Sequence, residues 1–220
     1  MAIEGRSRES ADGRVRLGMV GGGEGAFIGA VHRLAARMDD HYTLVAGALS
    51  STPDKAKRSG AALGLAPDRV YSDYEAMAKA EAKRPDGIEA VSIVTPNHMH
   101  APVAKAFLKA GIHVICDKPL TTSLKEALSL QKAAAASKRL FAVTYNYTGY
   151  PMVRHARAMI AAGELGELRV VQAEYPQDWL TERLEASGQK QAAWRTDPKQ
   201  SGAGGCIGDI GTHAYDLASF

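Results

Sequence analysis

A glycine-rich segment near the start of the chain places the strongest constraint on its fold. Residues 20–32 read VGGGEGAFIGAVH and contain five glycines directly after the apolar run Val15–Val20. Glycine at this density costs backbone entropy, so we expect it only where the backbone turns sharply or another group approaches closely. Glycines between a first strand and a first helix allow a pyrophosphate to reach the positive end of that helix. The segment therefore predicts a dinucleotide-binding loop.

Strand-like and helix-like patterns alternate after this loop. Apolar runs predict strands at residues 15–20, 43–49, 90–94, 113–116 and 140–144, with helical patterns between them. Such alternation is typical of a parallel sheet buried on both faces. We therefore predict an α/β fold with a Rossmann-type, doubly wound parallel sheet. The apolar face of its first helix, which we expect to pack on the sheet, comprises Ile28, Val31, Leu34, Ala35 and Met38.

The pattern changes near residue 146. A helical segment at 151–162 precedes a predicted strand, Leu168–Tyr175, and a polar, loop-like stretch at 176–205. We predict a disordered N-terminus at residues 1–13, an NAD(P)-binding domain at 14–145 and, at 146–220, the beginning of an α/β (α+β) substrate domain with an open sheet. Whether residues 1–6 are a tag remnant or a natural terminus stays open.

Composition argues against several classes of partner. The 220 residues are 45% hydrophobic and carry a formal charge of +3 without a basic run, so neither nucleic acid nor an anionic membrane is expected. No apolar run approaches the length of a membrane span. The two cysteines, Cys116 and Cys206, show neither a disulfide framework nor a metal-binding spacing. We therefore expect a cytoplasmic protein without a metal site.

Several positions bear on the cofactor. Gly21 and Gly23 match the first two glycines of the dinucleotide fingerprint. Strict spacing places Ala26 at the third position, and Gly29 takes that role if the loop is longer.

The end of the second predicted strand lacks the acid that would bind both ribose hydroxyls and select NAD. Ser50 and Ser51 stand there instead, and Lys55 and Arg58 in the next helix could approach a 2′-phosphate. We therefore predict NAD or NADP, with a preference for NADP.

Three further motifs contain residues that are suited to bind a ligand or to transfer a proton. Thr95–His100 (TPNHMH) and Cys116–Pro119 (CDKP) each follow a strand, at the sheet edge where ligands of open α/β folds bind. In the third motif, Asp209, His213 and Asp216 would share one helix face. An acid and a histidine together can hold and move a hydroxyl proton. A solvated lysine, a capping aspartate and a buried structural histidine are the alternative readings.

Together these motifs resemble the Gfo/Idh/MocA oxidoreductases, named for glucose–fructose oxidoreductase and inositol dehydrogenase. The resemblance rests on Gly21–Gly29 with His32, on Thr95–His100, on Asp117–Pro119 and on Gly204–Asp216. The chain departs from the family in Asp117, where glutamate is usual, in its longer glycine loop and in the missing ribose acid.

The resemblance implies hydride transfer between NAD(P) and a hydroxyl-bearing carbon of a sugar, polyol or cyclitol such as inositol. Lys118 would bind the reacting hydroxyl, Asp209 would orient the substrate, and His213 would be the general acid/base. The implied cofactor contacts are Gly21, Gly23, Ala26, Phe27, Ile28, Ser50, Ser51, Arg58, Thr95, Pro96, Asn97, His100, Asp117 and Lys118. The implied substrate contacts are Lys118, Asp209 and His213. Because aromatic rings suit the apolar face of a sugar, we also predict substrate contacts at Asn146, Tyr147, Trp194 and Arg195.

The family also continues well beyond the last motif, into a sheet that closes the pocket and mediates oligomers. We therefore interpret residues 146–220 as a truncated domain and expect a homo-oligomer for the intact protein. For the 220 residues we expect cofactor binding, little turnover and self-association. The alternative function is a non-catalytic NAD(P)-binding regulator or sensor. A Rossmann methyltransferase would show an acid after the second strand, and a short-chain dehydrogenase would show Tyr-x-x-x-Lys, which the sequence lacks.

Overall fold

The computed structural model describes residues 13–220, so the predictions for residues 1–12 lie outside it. The described residues separate into two compact units. The first comprises residues 13–95, 99–117 and 127–142, and the second comprises residues 96–98, 118–126 and 143–220. The predicted domain boundary at 145/146 stays a prediction, because this division assigns two short earlier segments to the second unit.

A five-stranded sheet forms the first unit. Its strands are β1 (Val15–Gly21), β2 (Tyr42–Ala48), β3 (Ala90–Val94), β4 (His113–Cys116) and β5 (Phe141–Val143), in the order β2-β1-β3-β4-β5. The pairs β1–β2, β1–β3 and β3–β4 are parallel, which confirms the predicted α/β class. The strand order reverses between β1 and β3, and ligands of open α/β sheets bind at the carboxyl ends of the strands beside such a reversal.

Helices follow the strands along the chain. They are α1 (Phe27–Met38), α2 (Pro53–Ala62), α3 (Tyr74–Glu81), α4 (His100–Lys109) and α5 (Leu124–Ser137), with 3₁₀ turns at Pro67–Arg69 and Asn97–Met99. All five residues of β3 are buried, as expected for a central strand covered on both faces. Among residues 13–220, no helix is long and apolar enough to cross a membrane.

The predicted inner face of α1 is wrong for four of its five residues, and only Ile28 packs against the core. Val31, Leu34, Ala35 and Met38 are exposed, whereas Gly29 is buried. The side chain of His32 instead lies at hydrogen-bond distance from a serine of β3, and Arg33 donates to a carbonyl of the glycine loop. Hydrophobic periodicity does not register polar side chains that have partners inside the protein, so it selected the wrong face of this helix.

The regular secondary structure of the second unit is helical within the residues that the structure describes. It contains α6 (Pro151–Ala161), α7 (Lys190–Arg195), α8 (Pro198–Ser201), a π-helical turn (Ile207–Gly211) and α9 (Thr212–Ser219), with 3₁₀ turns at Asn146–Gly149 and Leu184–Ser187. The stretch predicted as loop-like therefore holds two short helices. Their first turns are capped by Gln189, which accepts from the Ala192 N–H, and by Asp197, which accepts from the Lys199 N–H.

The strand predicted at residues 168–175 does not form. Within residues 13–220 no strand pairs with this segment, and Val170 is 82% exposed. A β-strand needs a neighbour to accept and donate its backbone hydrogen bonds. The local sequence therefore predicted a strand for which the described residues supply no partner.

Candidate functional site

The glycine loop after β1 adopts a path that requires glycine. Gly21 and Gly22 have φ angles of +82° and +72°, in the region that side chains disfavour. A Cβ on Gly21 would lie 2.7 Å from the carbonyl oxygen of Val94, and a Cβ on Gly23 would lie 2.5 Å from that of Leu49. The loop is therefore pressed against the chain at the ends of β3 and β2.

Gly29 makes the close contact between α1 and the loop. A Cβ on Gly29 would lie 2.4 Å from the Cα of Gly22. Close packing of the helix is the function of the third glycine in a dinucleotide fingerprint. Ala26, the other candidate for that role, is the N-cap residue of α1. The structure thus favours Gly29 for the role that the sequence left open.

Gly29→Val tests this packing. Overpacking of a close contact typically costs about 1–3 kcal/mol, and here it would displace Gly22 and the loop. We expect NADH to bind about tenfold more weakly, a change of about 1.4 kcal/mol in binding free energy. Calorimetric titration would measure the affinity, with the exposed Ala30→Val on the same helix as control. An unchanged affinity in a folded Gly29→Val protein would contradict the assignment.

The first turn of α1 is suited to a pyrophosphate. Its N-cap residue, Ala26, makes no side-chain capping hydrogen bond, and the first turn contains no acidic residue. The first N–H groups of a helix lack partners within the helix and carry a partial positive charge. Together with the glycine cradle, this chemistry fits the dinucleotide that the sequence predicts.

The two residues after Ala26 differ in their surroundings. Phe27 is largely exposed, whereas Ile28 packs against a small apolar cluster that includes Met19 and Val94. The predicted contacts of both residues with the cofactor stay predictions.

The region after β2 contains an ion pair that the sequence analysis missed. Arg58, predicted to contact a 2′-phosphate, lies with Nη2 3.3 Å from Oε2 of Glu24 in the glycine loop. Ser50 accepts a hydrogen bond from the backbone N–H of Thr52. A single charged side chain within an otherwise uncharged glycine loop is the signal that could have pointed to Glu24.

Residues at the ends of β3 and β4 in the first unit have defined contacts. The hydroxyl of Thr95 is buried and has no hydrogen-bond partner among residues 13–220, which suits a predicted ligand contact. Buried His100 donates from Nε2 to the Thr95 carbonyl at 3.0 Å, which is a structural hydrogen bond. Asp117 lies with Oδ1 3.9 Å from Nε2 of His32.

Residues 96–98 belong to the second unit, where Asn97 has a structural contact. Its side-chain amide donates to the Ser201 carbonyl at 2.9 Å. His98 lies 3.4 Å from the carbonyl of Gln200. The structure shows no contact that tests the cofactor role predicted for Pro96 and Asn97.

Three predicted site residues of the second unit form one charged cluster. Lys118 donates to the Oδ1 atom of Asp209 at 2.8 Å and to its backbone carbonyl at 2.7 Å. Arg195 donates from Nε to the Oδ2 atom of Asp209 at 3.0 Å. One carboxylate therefore holds two cations, and we call these residues the lysine–aspartate–arginine cluster.

Arg195 is held on its other side by its own helix and by two indole rings. Its Nη1 donates to the side chain of Gln191 at 2.8 Å. The guanidinium lies over the Trp194 ring, 4.3 Å from the centroid, and 5.4 Å from the centroid of Trp179. Guanidinium–indole contacts of this kind are attractive. Trp194, predicted to touch substrate, here orients the arginine.

The cluster controls the charge of Asp209. Burial pushes the pKa of this carboxyl upward, but hydrogen bonds and charges from Lys118 and Arg195 outweigh burial, so the pKa lies below its usual value. A lowered pKa means that the stabilisation is present at neutral pH and is lost as the pH falls through the folded-state value. Asp209 is thus an anion under physiological conditions.

Arg195→Met is expected to raise the pKa of Asp209, because one of its two cationic partners is removed. Carboxyl-carbon NMR of labelled protein across an acid titration would measure this pKa directly. The exposed Arg183→Met provides a control of equal charge change in the same unit. An unchanged pKa in Arg195→Met would show that Lys118 alone holds the carboxylate.

His213 lies in an aromatic environment. It is buried on α9, and its ring meets Tyr147 edge-on at a centroid distance of 4.7 Å and Tyr145 at 6.0 Å. Tyr175, which sequence reasoning placed only in a strand, lies 6.4 Å from the same ring and shares a hydrogen bond between hydroxyls with Tyr147. Burial, followed by the contact with Tyr175, raises the pKa of Tyr147 to about 12. Nothing in the sequence identified Tyr175 as a neighbour of the histidine.

The two residues of the last motif that are proposed to act on substrate lie in different kinds of helix. Asp209 lies within Ile207–Gly211, and His213 lies in the first turn of α9. Single π turns inside α-helices occur frequently at functional sites. The predicted helical placement is confirmed, but the simple i, i+4 geometry of an α-helix does not apply across this turn.

Asn146, a predicted substrate contact, is exposed and lies in the 3₁₀ turn Asn146–Gly149.

Comparison with known proteins identifies both parts of the chain. Residues 15–145 match the Gfo/Idh/MocA oxidoreductase family, NAD-binding Rossmann fold, and residues 153–220 match a Gfo/Idh/MocA C-terminal domain. An uncharacterised oxidoreductase, YfiI, of Bacillus subtilis is 39% identical over 93% of the chain and 52% of its own length. Levoglucosan dehydrogenase of Pseudarthrobacter phenanthrenivorans is 30% identical over 94% of the chain and 50% of its own length.

Solved structures agree with these matches. An oxidoreductase from Sinorhizobium meliloti is 62% identical, with a TM-score of 0.82 over 94% of this chain and 52% of that one. An inositol dehydrogenase homolog from Azotobacter vinelandii, complexed with NAD⁺, is 44% identical. Its TM-score is 0.89, over 94% of this chain and 53% of that one. A structure of an inositol dehydrogenase homolog from the same organism with NADH and myo-inositol is 42% identical. Its TM-score is 0.85, over 94% of this chain and 52% of that one. The chain spans about half the length of the proteins it matches. It belongs to the Gfo/Idh/MocA family of oxidoreductases.

Proposed function

We propose that the protein carrying this chain is an NAD(P)-dependent dehydrogenase. It would transfer a hydride between nicotinamide and a hydroxyl-bearing carbon of a cyclitol, polyol or sugar. The observation that carries the proposal is the lysine–aspartate–arginine cluster, formed by a chain whose first unit fits a dinucleotide. Relatives named for inositol and levoglucosan support this substrate class.

Lys118 is suited to bind the reacting hydroxyl. An ammonium group has three N–H donors, and two bonds from this one go to Asp209. We propose that the third donor is directed to the substrate oxygen. A positioned cation favours the alkoxide that develops as a carbinol is oxidised. Asp209 would hold the ammonium in position, and Arg195 would keep Asp209 ionised.

His213 is the proposed acid/base. Imidazole titrates near neutral pH, so it can accept the hydroxyl proton in oxidation and return it in reduction. The tyrosine rings around it restrict its orientation. When bound, NAD(P) supplies the ring that accepts or donates the hydride. The residues of the chain position the groups and move the proton.

A substrate screen with the whole protein tests the proposal. We expect oxidation of at least one cyclitol, aldose or anhydrosugar, followed at 340 nm with NAD⁺ and with NADP⁺. Dinucleotide binding without turnover of any of these substrates would favour the regulator or sensor instead. The preference for NADP, a cytoplasmic location and a homo-oligomer remain predictions, which the same protein preparation could test by titration, fractionation and light scattering.

A further inference from the structure

The structure places a carboxylate near the point where the family's usual ribose acid is missing. Strand β2 ends at Ala48, and the residues that follow, Leu49, Ser50 and Ser51, carry no charge. In Rossmann folds an acid at this point accepts hydrogen bonds from the adenosine ribose, and its negative charge opposes a 2′-phosphate. Another element of the first unit can supply that charge.

The glycine loop brings Glu24 to this region. A Cβ on the preceding residue, Gly23, would lie 2.5 Å from the Leu49 carbonyl oxygen, so the loop backbone touches the chain just beyond β2. The backbone N–H of Glu24 donates to Oγ of Ser59 at 3.0 Å, and Ser59 is almost fully buried on α2. These contacts of Gly23 and Glu24 place the loop backbone between the end of β2 and helix α2.

The side chain of Glu24 is paired but accessible. Its carboxylate lies 3.3 Å from the guanidinium of Arg58, and the two side chains are 60% and 64% exposed. An exposed ion pair at this distance is weak and can rearrange when a ligand arrives. While the pair is formed, however, the Glu24 carboxylate neutralises the Arg58 guanidinium, which would otherwise attract a phosphate.

We propose that Glu24 replaces the missing strand-end acid and selects NAD over NADP. Its carboxylate would accept a hydrogen bond from an adenosine ribose hydroxyl, repel a 2′-phosphate and compete for Arg58. The inference rests on the proposed function, since it requires a dinucleotide in the first unit. It opposes the preference for NADP drawn from Ser50, Ser51, Lys55 and Arg58, because that reasoning did not include the charge in the loop.

Glu24→Gln provides a direct test by binding rather than by activity. The substitution keeps the size of the side chain and the backbone hydrogen bond to Ser59 while it removes the charge. Titration of the 220-residue chain with NADH and NADPH would measure both dissociation constants. We expect the wild type to bind NADH more tightly, and the variant to gain about tenfold in NADPH affinity and to lose NADH affinity.

Two further variants make the result specific. Glu24→Gln combined with Arg58→Gln should lose the gain for NADPH, because the gain depends on the released guanidinium. Glu75→Gln, at an exposed glutamate of α3, is the control and should change neither affinity. A wild type that prefers NADPH, or an equal change for both cofactors in Glu24→Gln, would overturn the proposal alone. A folded wild type that binds neither dinucleotide would overturn the proposed function and this inference together.

Discussion

Replacement of His213 by glutamine in the whole protein is expected to lower kcat by about 10²–10⁴-fold, the usual contribution of a general acid or base. Glutamine nearly matches the volume of the buried imidazole, so the tyrosine rings around it should remain in place, but it cannot accept a proton at neutral pH. Cofactor affinity should change little, because the glycine loop and the first turn of α1, which fit the dinucleotide, belong to the other unit. Steady-state kinetics and a cofactor titration on the same samples would separate the two effects.

The matched control is His155→Gln, at an exposed histidine of α6 in the same unit. Lys118→Met should also lower kcat, but for a different reason, because the ammonium that stabilises the alkoxide is removed. The His213 variant should lose the inflection of the pH–rate profile that belongs to the imidazole, whereas the Lys118 variant should retain it. Near-normal turnover in the His213 variant would remove this histidine from the mechanism.

Most of the first unit could be predicted from its sequence because its strands are short, apolar and bounded by turn residues. The five predicted strands all form, and β3 coincides with its predicted bounds of 90–94. The inner face of α1 could not be predicted in this way. His32 and Arg33 lie on the inner side because each has a polar partner there. The partner of His32 is Ser92, which is 60 residues away, whereas the partner of Arg33 is Gly22 in the adjoining loop.

The candidate site, like the first unit, could be predicted from the sequence only in part. Lys118 and Asp209 could be named from motifs and Arg195 from its place beside Trp194, and the structure brings the two cations together on the Asp209 carboxylate. Their mutual geometry could not be derived, because it depends on a π turn that local propensity does not specify. Glu24 was missed for a related reason. Its importance comes from its distance to Arg58, which is remote in sequence.

Glu81→Ala is expected to lower the free energy of unfolding by about 3–5 kcal/mol, the usual cost of removing one partner from a buried ion pair. Glu81 is fully buried and accepts hydrogen bonds from the Arg69 guanidinium, from the Tyr71 hydroxyl at 3.0 Å and from the Ile88 N–H at 3.1 Å. Its loss would leave the buried guanidinium without its main counter-charge. Urea unfolding followed by circular dichroism would measure the change.

Two variants distinguish the loss of the pair from a general effect on α3. Glu75→Ala removes an exposed glutamate of the same helix and should change stability by less than about 1 kcal/mol. Arg69→Met combined with Glu81→Met replaces both charges with apolar groups, which often restores stability at buried pairs. Recovery should be incomplete here, because the Ile88 N–H and the Tyr71 hydroxyl still lose their acceptor. If the double variant were as unstable as Glu81→Ala, those two lost hydrogen bonds, rather than the uncompensated charge, would account for the role of Glu81.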